Sequence, residues 1–429
     1  MADPGRQTGR GAASVLIALF LAALALRPDI IGVGPILEDI RTDLDASRSV
    51  IGLLPTVPVL CMGLFAPLGG RLAARIGARS GVLVGLLLIA AAGLTRATMP
   101  TALLIAGVTI VVGLGVALVQ TVLPALIKQQ EAVDSTLATT VYVVGIQLGA
   151  AGSAAVSGPV AALGDWRWPL VLFGAAAGVW ALVWFLLAPR GVELGNADGG
   201  PSDPRGLVAL FREPIVRRVA AAYGLQSIAF YGTNAWLAPY FIEQGWDVVT
   251  AGRAVSVLNL AALTATLSVP LVMRALQERR RALILSAMLV VVGLALITMV
   301  GEDAWWVSIP LGLGLGPLLP LTLTLPIDVT DDVEVVARVT GGMLGVGYML
   351  AALAPTGLGF VRDVSGSFSP VLLLLAAVTI AFALVCTTLG PGALRRGVRQ
   401  DPEGLGSLGS EERPSGTTDG RRPGGSEGS

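Results

Sequence analysis

Twelve apolar runs recur along the chain, near residues 12–36, 49–73, 80–97, 101–127, 135–162, 167–188, 216–242, 250–273, 282–300, 304–326, 334–361 and 368–389. Each is close to the length of about 20 residues that crosses a bilayer as a helix. In lipid the backbone must satisfy its own hydrogen bonds, so such runs have to be helical. The expected fold is an all-α membrane protein with twelve transmembrane helices. Composition agrees: of 429 residues only 14% are charged, against about 25% in soluble domains. The runs fall into two sets of six. The chain is thereby divided into a polar N-terminus (1–11), an N-terminal six-helix bundle (12–188), a linker (189–215), a C-terminal six-helix bundle (216–390) and a tail (391–429) too poor in apolar residues to fold. The first run opens like a secretion signal, with Ala23-Leu24-Ala25 resembling a cleavage site. It is expected to stay, because the apolar pattern resumes at Ile30 and eleven more spans follow.

Charge sets the orientation. Arg41, Arg48, Arg96, Arg167, Arg253 and Arg362 fall on one side of the expected membrane, Arg27 lies within it, and the remaining Lys and Arg residues fall on the other side. Basic segments stay in the cytoplasm. Both termini and the linker are therefore expected to be cytoplasmic, on a multi-pass protein of the plasma (inner) membrane. There is no histidine, which excludes a histidine metal site or proton relay. Cys61 and Cys386 both lie inside apolar runs, where they read as small buried groups rather than a disulfide framework. No Walker loop follows a strand, and neither a nucleophile elbow nor a metal-ligand cluster is present. An enzyme is not expected, and no cofactor, metal or nucleic acid. The expected partners are a small solute, the lipid bilayer and protons, with the chain acting as a monomer.

The two sets match at a shift of about 201 residues. Gly113-Leu114-Gly115 pairs with Gly314-Leu315-Gly316, Gly145 with Gly347, and Gly164, Trp166 and Pro169 echo Gly366, Phe368 and Pro370. A parallel duplication of six spans is one plan of secondary transporters. Between the second and third runs stands Gly70-Arg71-Leu72-Ala73-Ala74-Arg75-Ile76-Gly77-Ala78-Arg79, and the fifth run carries Gly145, Gly149, Gly152 and Gly158-Pro159. Small residues at such spacing let helices approach closely. The basic loop resembles the loop signature of the major facilitator superfamily, with Ala74 in place of the usual acidic residue. The glycine stripe resembles the fifth-helix motif of the same superfamily.

Longer segments narrow the resemblance. Leu26-Arg27-Pro28 with Val33-Gly34-Pro35-Ile36-Leu37, Gly52-Leu53-Leu54-Pro55, Pro58-Val59-Leu60-Cys61 and Gly63-Leu64-Phe65-Ala66-Pro67 are similar to the cyanate/2-nitroimidazole transporter family of that superfamily. So are Leu123-Pro124-Ala125-Leu126-Ile127-Lys128 and Gly224-Leu225-Gln226-Ser227 with Phe230-Tyr231 and Ala235-Trp236-Leu237. Gly347-Tyr348-Met349-Leu350-Ala351-Ala352 with Pro355, Gly359, Asp363 and Gly366 completes the set. The resemblance implies two six-helix bundles around a central cavity and alternating access for a small anionic or heteroaromatic solute. Two places depart from the pattern: Asp29, where a small uncharged residue is expected, and Gly232-Thr233-Asn234, which adds an amide to the seventh span.

The polar residues at membrane depth are the candidate site. Arg27 cannot deprotonate and offers a planar fork of donors, which suits a small anion; its other reading is a structural ion pair or a carbonyl clamp. Pro28 and Pro35 are expected to bend or unwind the first span there. Asp29 is a candidate proton-coupling carboxylate, or a group facing the outer vestibule or a partner. On a regular helix it would point away from Arg27. Gln120, Gln226, Tyr231, Asn234, Trp236 and Tyr348 are candidate solute contacts, each against the reading of an interhelical hydrogen bond; Gln147 is a weaker one. Lys128 is expected to snorkel to the cytoplasmic interface. The expected function is secondary active transport of a cyanate-like anion or nitroimidazole-like heteroaromatic, driven by a solute or a proton gradient. The alternatives are an efflux pump for neutral drugs, with Arg27 structural, and a membrane sensor; nothing resembles a channel filter.

Overall fold

The first span is not one helix. A helix over Pro4–Leu24 gives way to a four-residue helix, Pro28–Ile31, then a 3-10 turn, Gly34–Ile36, and a final helix, Leu37–Asp43. Proline supplies the break, because Pro28 and Pro35 have no amide to donate into the preceding turn. The freed groups find other partners. Arg27 carbonyl accepts from Ile30 and Ile31 amides at 3.0 and 2.9 Å, and the Ser157 hydroxyl of the fifth span donates to Gly32 carbonyl at 2.6 Å. Irregular backbone at membrane depth is tolerated only where protein or a cavity satisfies it.

The structure, a computed structural model, describes residues 4–129, 135–188, 213–299, 305–326 and 333–389. Most of the expected linker and the whole of the expected tail, 391–429, lie outside those residues, as do the side chains of Arg71, Ala74 and Lys128. Among the described residues there is no strand. Eleven helical stretches among them are long and apolar enough to cross a membrane. The expected seventh span, Pro214–Glu243, is the exception: it is a helix of 30 residues but is not among the eleven. Its interior carries Tyr223, Gln226, Ser227, Tyr231, Thr233 and Asn234, all buried. Polar residues that face other helices lower the mean hydropathy without touching lipid, so hydropathy alone misses this span.

The remaining spans are Arg48–Ile51 with Leu53–Ile76 (second), Ala78–Arg96 (third), Ala102–Gln129 (fourth), Ser135–Ala161 (fifth), Arg167–Leu187 (sixth), Val248–Leu276 (eighth), Arg279–Ile297 (ninth), Ser308–Leu323 (tenth), Val333–Ser365 (eleventh) and Ser369–Thr387 (twelfth). A tight turn at Gly77, with φ of 85°, joins the second and third; only glycine takes that backbone readily. The first span packs on the fifth and sixth, the second on the fourth, and the third on the fourth and sixth. Adding six to every number gives the main packing of the second set: seventh on eleventh and twelfth, eighth on tenth, ninth on tenth and twelfth. The contacts between sets, second with eleventh and fifth with eighth, exchange under the same operation. This is the duplicated plan expected from the sequence.

Glycine packing fixes the register of the repeat. A β-carbon on Gly115 would strike Gly85 and Ile89 of the third span, and one on Gly314 would strike Ser286 and Val290 of the ninth. Gly113 faces Pro58 and Cys61 as Gly312 faces Leu258 and Ala261. The equivalents are thus Gly113 with Gly312 and Gly115 with Gly314, two residues from the expected pairing with Gly314-Leu315-Gly316. Glycine stands at 312, 314 and 316, so sequence matching slips there and only the neighbours decide. Gly145 lies on the first span and Gly347 on the Tyr223 ring of the seventh, as their pairing expects.

The two sets are fastened together at one end, the outer one by the charge reading. Asp363 of the eleventh span accepts from the amides of Arg48 and Ser49, at 3.1 and 2.8 Å. The Thr56 and Thr356 hydroxyls bond at 2.9 Å. Arg48 reaches Glu38 at 3.2 Å and Glu243 at 3.5 Å, and Glu243 is also held by Arg362 at 2.6 Å.

Candidate functional site

Arg27 sits at the break of the first span, about half-way along it, and is only 5% exposed. The short helix that follows cannot hydrogen-bond its side chain, so the guanidinium reaches out of its own bundle. Its Nη1 donates to the Tyr231 hydroxyl of the seventh span at 2.8 Å, and its charge lies 5.7 Å from the centre of that ring. A second bond crosses between the bundles alongside: Gln120 Nε2 of the fourth span donates to the Tyr348 hydroxyl of the eleventh at 3.0 Å. Tyr348 meets Tyr223 edge to face at 5.7 Å. Tyr142 of the fifth span stands close enough to interact with Arg27, Tyr231 and Tyr348. Four of the chain's five tyrosines thus surround one arginine where the bundles meet.

The cluster retains bonding capacity. Among the described residues Arg27 Nε and Gln120 Oε1 are buried without a hydrogen-bond partner. A permanent cation with a free donor, an amide oxygen and several ring faces can hold a small planar solute bearing negative charge or electron-rich heteroatoms. Aromatic rings give flat apolar area, and the guanidinium gives direction.

The structure brings Arg27, Gln120, Tyr231 and Tyr348 together, and gives the other candidates different partners. Gln226 donates to the adjacent Ser227 hydroxyl at 2.8 Å. Asn234 donates to Phe230 carbonyl at 3.0 Å and accepts from Asn259 of the eighth span at 2.8 Å. Trp236 donates its indole N–H to Pro355 carbonyl at 2.8 Å. Asp29 is 1% exposed and forms an ion pair with Arg96 at the end of the third span. Arg96 belongs to the outer-side charges of the sequence reading, yet it is 0% exposed. As expected from their spacing, Arg27 and Asp29 do not neutralise each other.

Sequence reasoning missed Tyr142, Tyr223, Arg96 and Asn259. Tyr223 carried a usable signal, since it precedes Tyr231 by eight residues and helical neighbours at that spacing share a face. Arg96 closes an apolar run, which reads as an interfacial charge until its carboxylate partner is seen.

The family model of the Major Facilitator Superfamily matches residues 15–355. The chain is 29% identical over 373 residues to the uncharacterized transporter YycB of Bacillus subtilis (strain 168), covering 85% of this chain and 91% of that one. It is 27% identical over 378 residues to the 2-nitroimidazole transporter of Escherichia coli (strain K12), covering 88% and 95%. To the cyanate transport protein CynX of the same organism it is 28% identical over 358 residues, covering 82% and 91%. Among solved structures, the nucleoside transporter NupG superposes with a TM-score of 0.73 at 13% identity, covering 87% of this chain and 99% of that one. Matched by its sequence from the first span to the eleventh, and by the fold of a solved transporter over nearly all of that protein's length, the chain belongs to the major facilitator superfamily.

Proposed function

We propose that the protein is a secondary active transporter that moves a small anion or planar heteroaromatic solute by alternating access, binding it between Arg27 and the surrounding tyrosines. The observation that carries this reading is the pair of cross-bundle bonds, Arg27 to Tyr231 and Gln120 to Tyr348, at the depth where transporters of this plan hold their solutes. A solute that takes over the guanidinium from the Tyr231 hydroxyl would loosen one bundle from the other, coupling binding to reorientation. The transport of cyanate and of 2-nitroimidazole by relatives sharing more than a quarter of the sequence supports the same solute class. In this reading the protein lies in the plasma membrane with both termini cytoplasmic and works as a monomer. The ion pairs around Arg48 and Glu243 close its outer end.

The test is uptake into proteoliposomes, with and without an imposed proton gradient, of cyanate, 2-nitroimidazole and a panel of neutral drugs. Saturable uptake of a small anion or nitroimidazole, reduced at least tenfold by Arg27→Gln, is the expected outcome. Uptake of neutral drugs alone, unchanged in Arg27→Gln, would make this an efflux-type carrier with a structural arginine. Accumulation that collapses with the proton gradient identifies protons as the drive.

A further inference from the structure

We infer that Asp29 and Arg96 are a positioning pair: their ion pair fixes the four-residue helix Pro28–Ile31 on the N-terminal bundle and thereby aims Arg27 at the cavity. The inference rests on the reading of Arg27 as a solute-binding group. Four residues are too few to hold a helix by their own hydrogen bonds, so its orientation has to come from outside. The backbone is held by Ser157 on Gly32 carbonyl. The side chains are held by Asp29, which leaves the helix toward the third and sixth spans while Arg27 leaves toward the seventh. Space for the carboxylate exists because Gly93 and Gly174 let those two spans touch: a β-carbon at Gly93 would lie 2.9 Å from Gly174 Cα and 3.8 Å from Asp29 Oδ1.

The two bonds differ in what they join. Arg27 to Tyr231 crosses between bundles and has to break when the bundles reorient. Asp29 to Arg96 stays inside one bundle, so it is kept through the cycle. Both partners are essentially unexposed, and a buried pair that loses one partner leaves an uncompensated charge. Asp29→Asn therefore releases the short helix and lets the Arg27 side chain swing from its aim.

The experiment places a cysteine at Arg27 (Arg27→Cys), and separately at Gln120 (Gln120→Cys) as control, in protein with Cys61 and Cys386 replaced by alanine. Reaction with a small charged thiosulfonate is timed with and without Asp29→Asn, a readout that needs no solute. The expected result is a change of at least tenfold in rate at position 27, less than about threefold at position 120, and a smaller change at position 27 in Arg96→Lys, which keeps the charge, than in Arg96→Gln. Unchanged rates at position 27, or equal changes at both positions, would overturn the inference. Where Asp29→Asn fails to insert, Arg96→Lys and Arg96→Gln carry the same comparison.

A cycle of solute affinities with 2-nitroimidazole and cyanate completes the test. Asp29→Asn is expected to weaken binding in the parent and to have no further effect in Arg27→Gln; additive losses would contradict a role exerted through Arg27. Unchanged affinity with lost proton-driven accumulation would instead make Asp29 a proton carrier. Absence of binding by the parent would defeat the solute reading, while the cysteine rates would still decide the positioning role.

Discussion

Arg27 carries its charge at any pH the protein meets, so its burial has to be answered by neighbours rather than by deprotonation. Tyr231 gives most of that answer. Tyr231→Phe is expected to destabilise the protein by at least about 1–3 kcal/mol, the usual cost of stranding a buried donor, which is larger for a charged one, read as a fall in thermal midpoint in detergent. An unchanged midpoint would mean that Arg27 has other partners. The arginine, Gln120, Tyr231 and Tyr348 were legible in the sequence because a polar residue inside an apolar run has to be satisfied by something. Asn234, Trp236 and Gln226 stood out for the same reason, yet they bond Asn259, Pro355 and Ser227. Sequence marks which side chains need partners, and helix rotation, which it does not show, decides whether the partner is protein or solute.

The elements around the site were legible where proline and glycine mark them. Pro28 and Pro35 announce the broken first span, and the recurring glycines announce close packing. The seventh span was legible as the apolar run near 216–242, although its buried polar residues keep its mean hydropathy low. Gly347 lies directly against the Tyr223 ring, so Gly347→Val is expected to displace Tyr223 and with it Tyr348. Solute affinity should fall at least tenfold with the helices still inserted; retained affinity would show that the tyrosine edge contact is dispensable. At the end bearing Arg48 and Glu243, Asp247 caps the eighth span, accepting from the Val249 and Thr250 amides at 2.9 and 3.0 Å. Thr250 and these amides hold its carboxyl below the usual carboxylate range. A group with a depressed folded-state value stabilises above its unfolded value and loses that contribution as pH falls through the folded one. Acidification below about pH 4 is therefore expected to lower the thermal midpoint of the parent more than that of Asp247→Ala, and equal shifts would remove the cap from the account.

At the scale of the molecule, the two bundles meet as images of each other, and ion pairs and hydrogen bonds bridge the end bearing Arg48 and Glu243. The duplication was legible from glycines spaced about 201 residues apart, although its register became clear only from what each glycine touches. This bridging was not legible, because Glu38, Arg48, Glu243 and Arg362 read as loop charges until the loops are brought together. Thr56 and Thr356 span the bundle interface at 2.9 Å. Thr56→Cys with Thr356→Cys, without Cys61 and Cys386, is expected to stop uptake at least tenfold on oxidation and to recover on reduction. Uptake that persists in the cross-linked protein would mean that this end need not open.

The central claim is that Arg27 binds the solute. Equilibrium binding of cyanate and 2-nitroimidazole to the purified protein tests it most directly, across the parent, Arg27→Lys and Arg27→Gln. Loss of a charged hydrogen bond worth about 1.5–3 kcal/mol predicts that Arg27→Gln binds about 10- to 150-fold more weakly, with Arg27→Lys in between because it keeps the charge and loses the fork. Equal affinity in all three proteins, each with a parental thermal midpoint, would contradict the account.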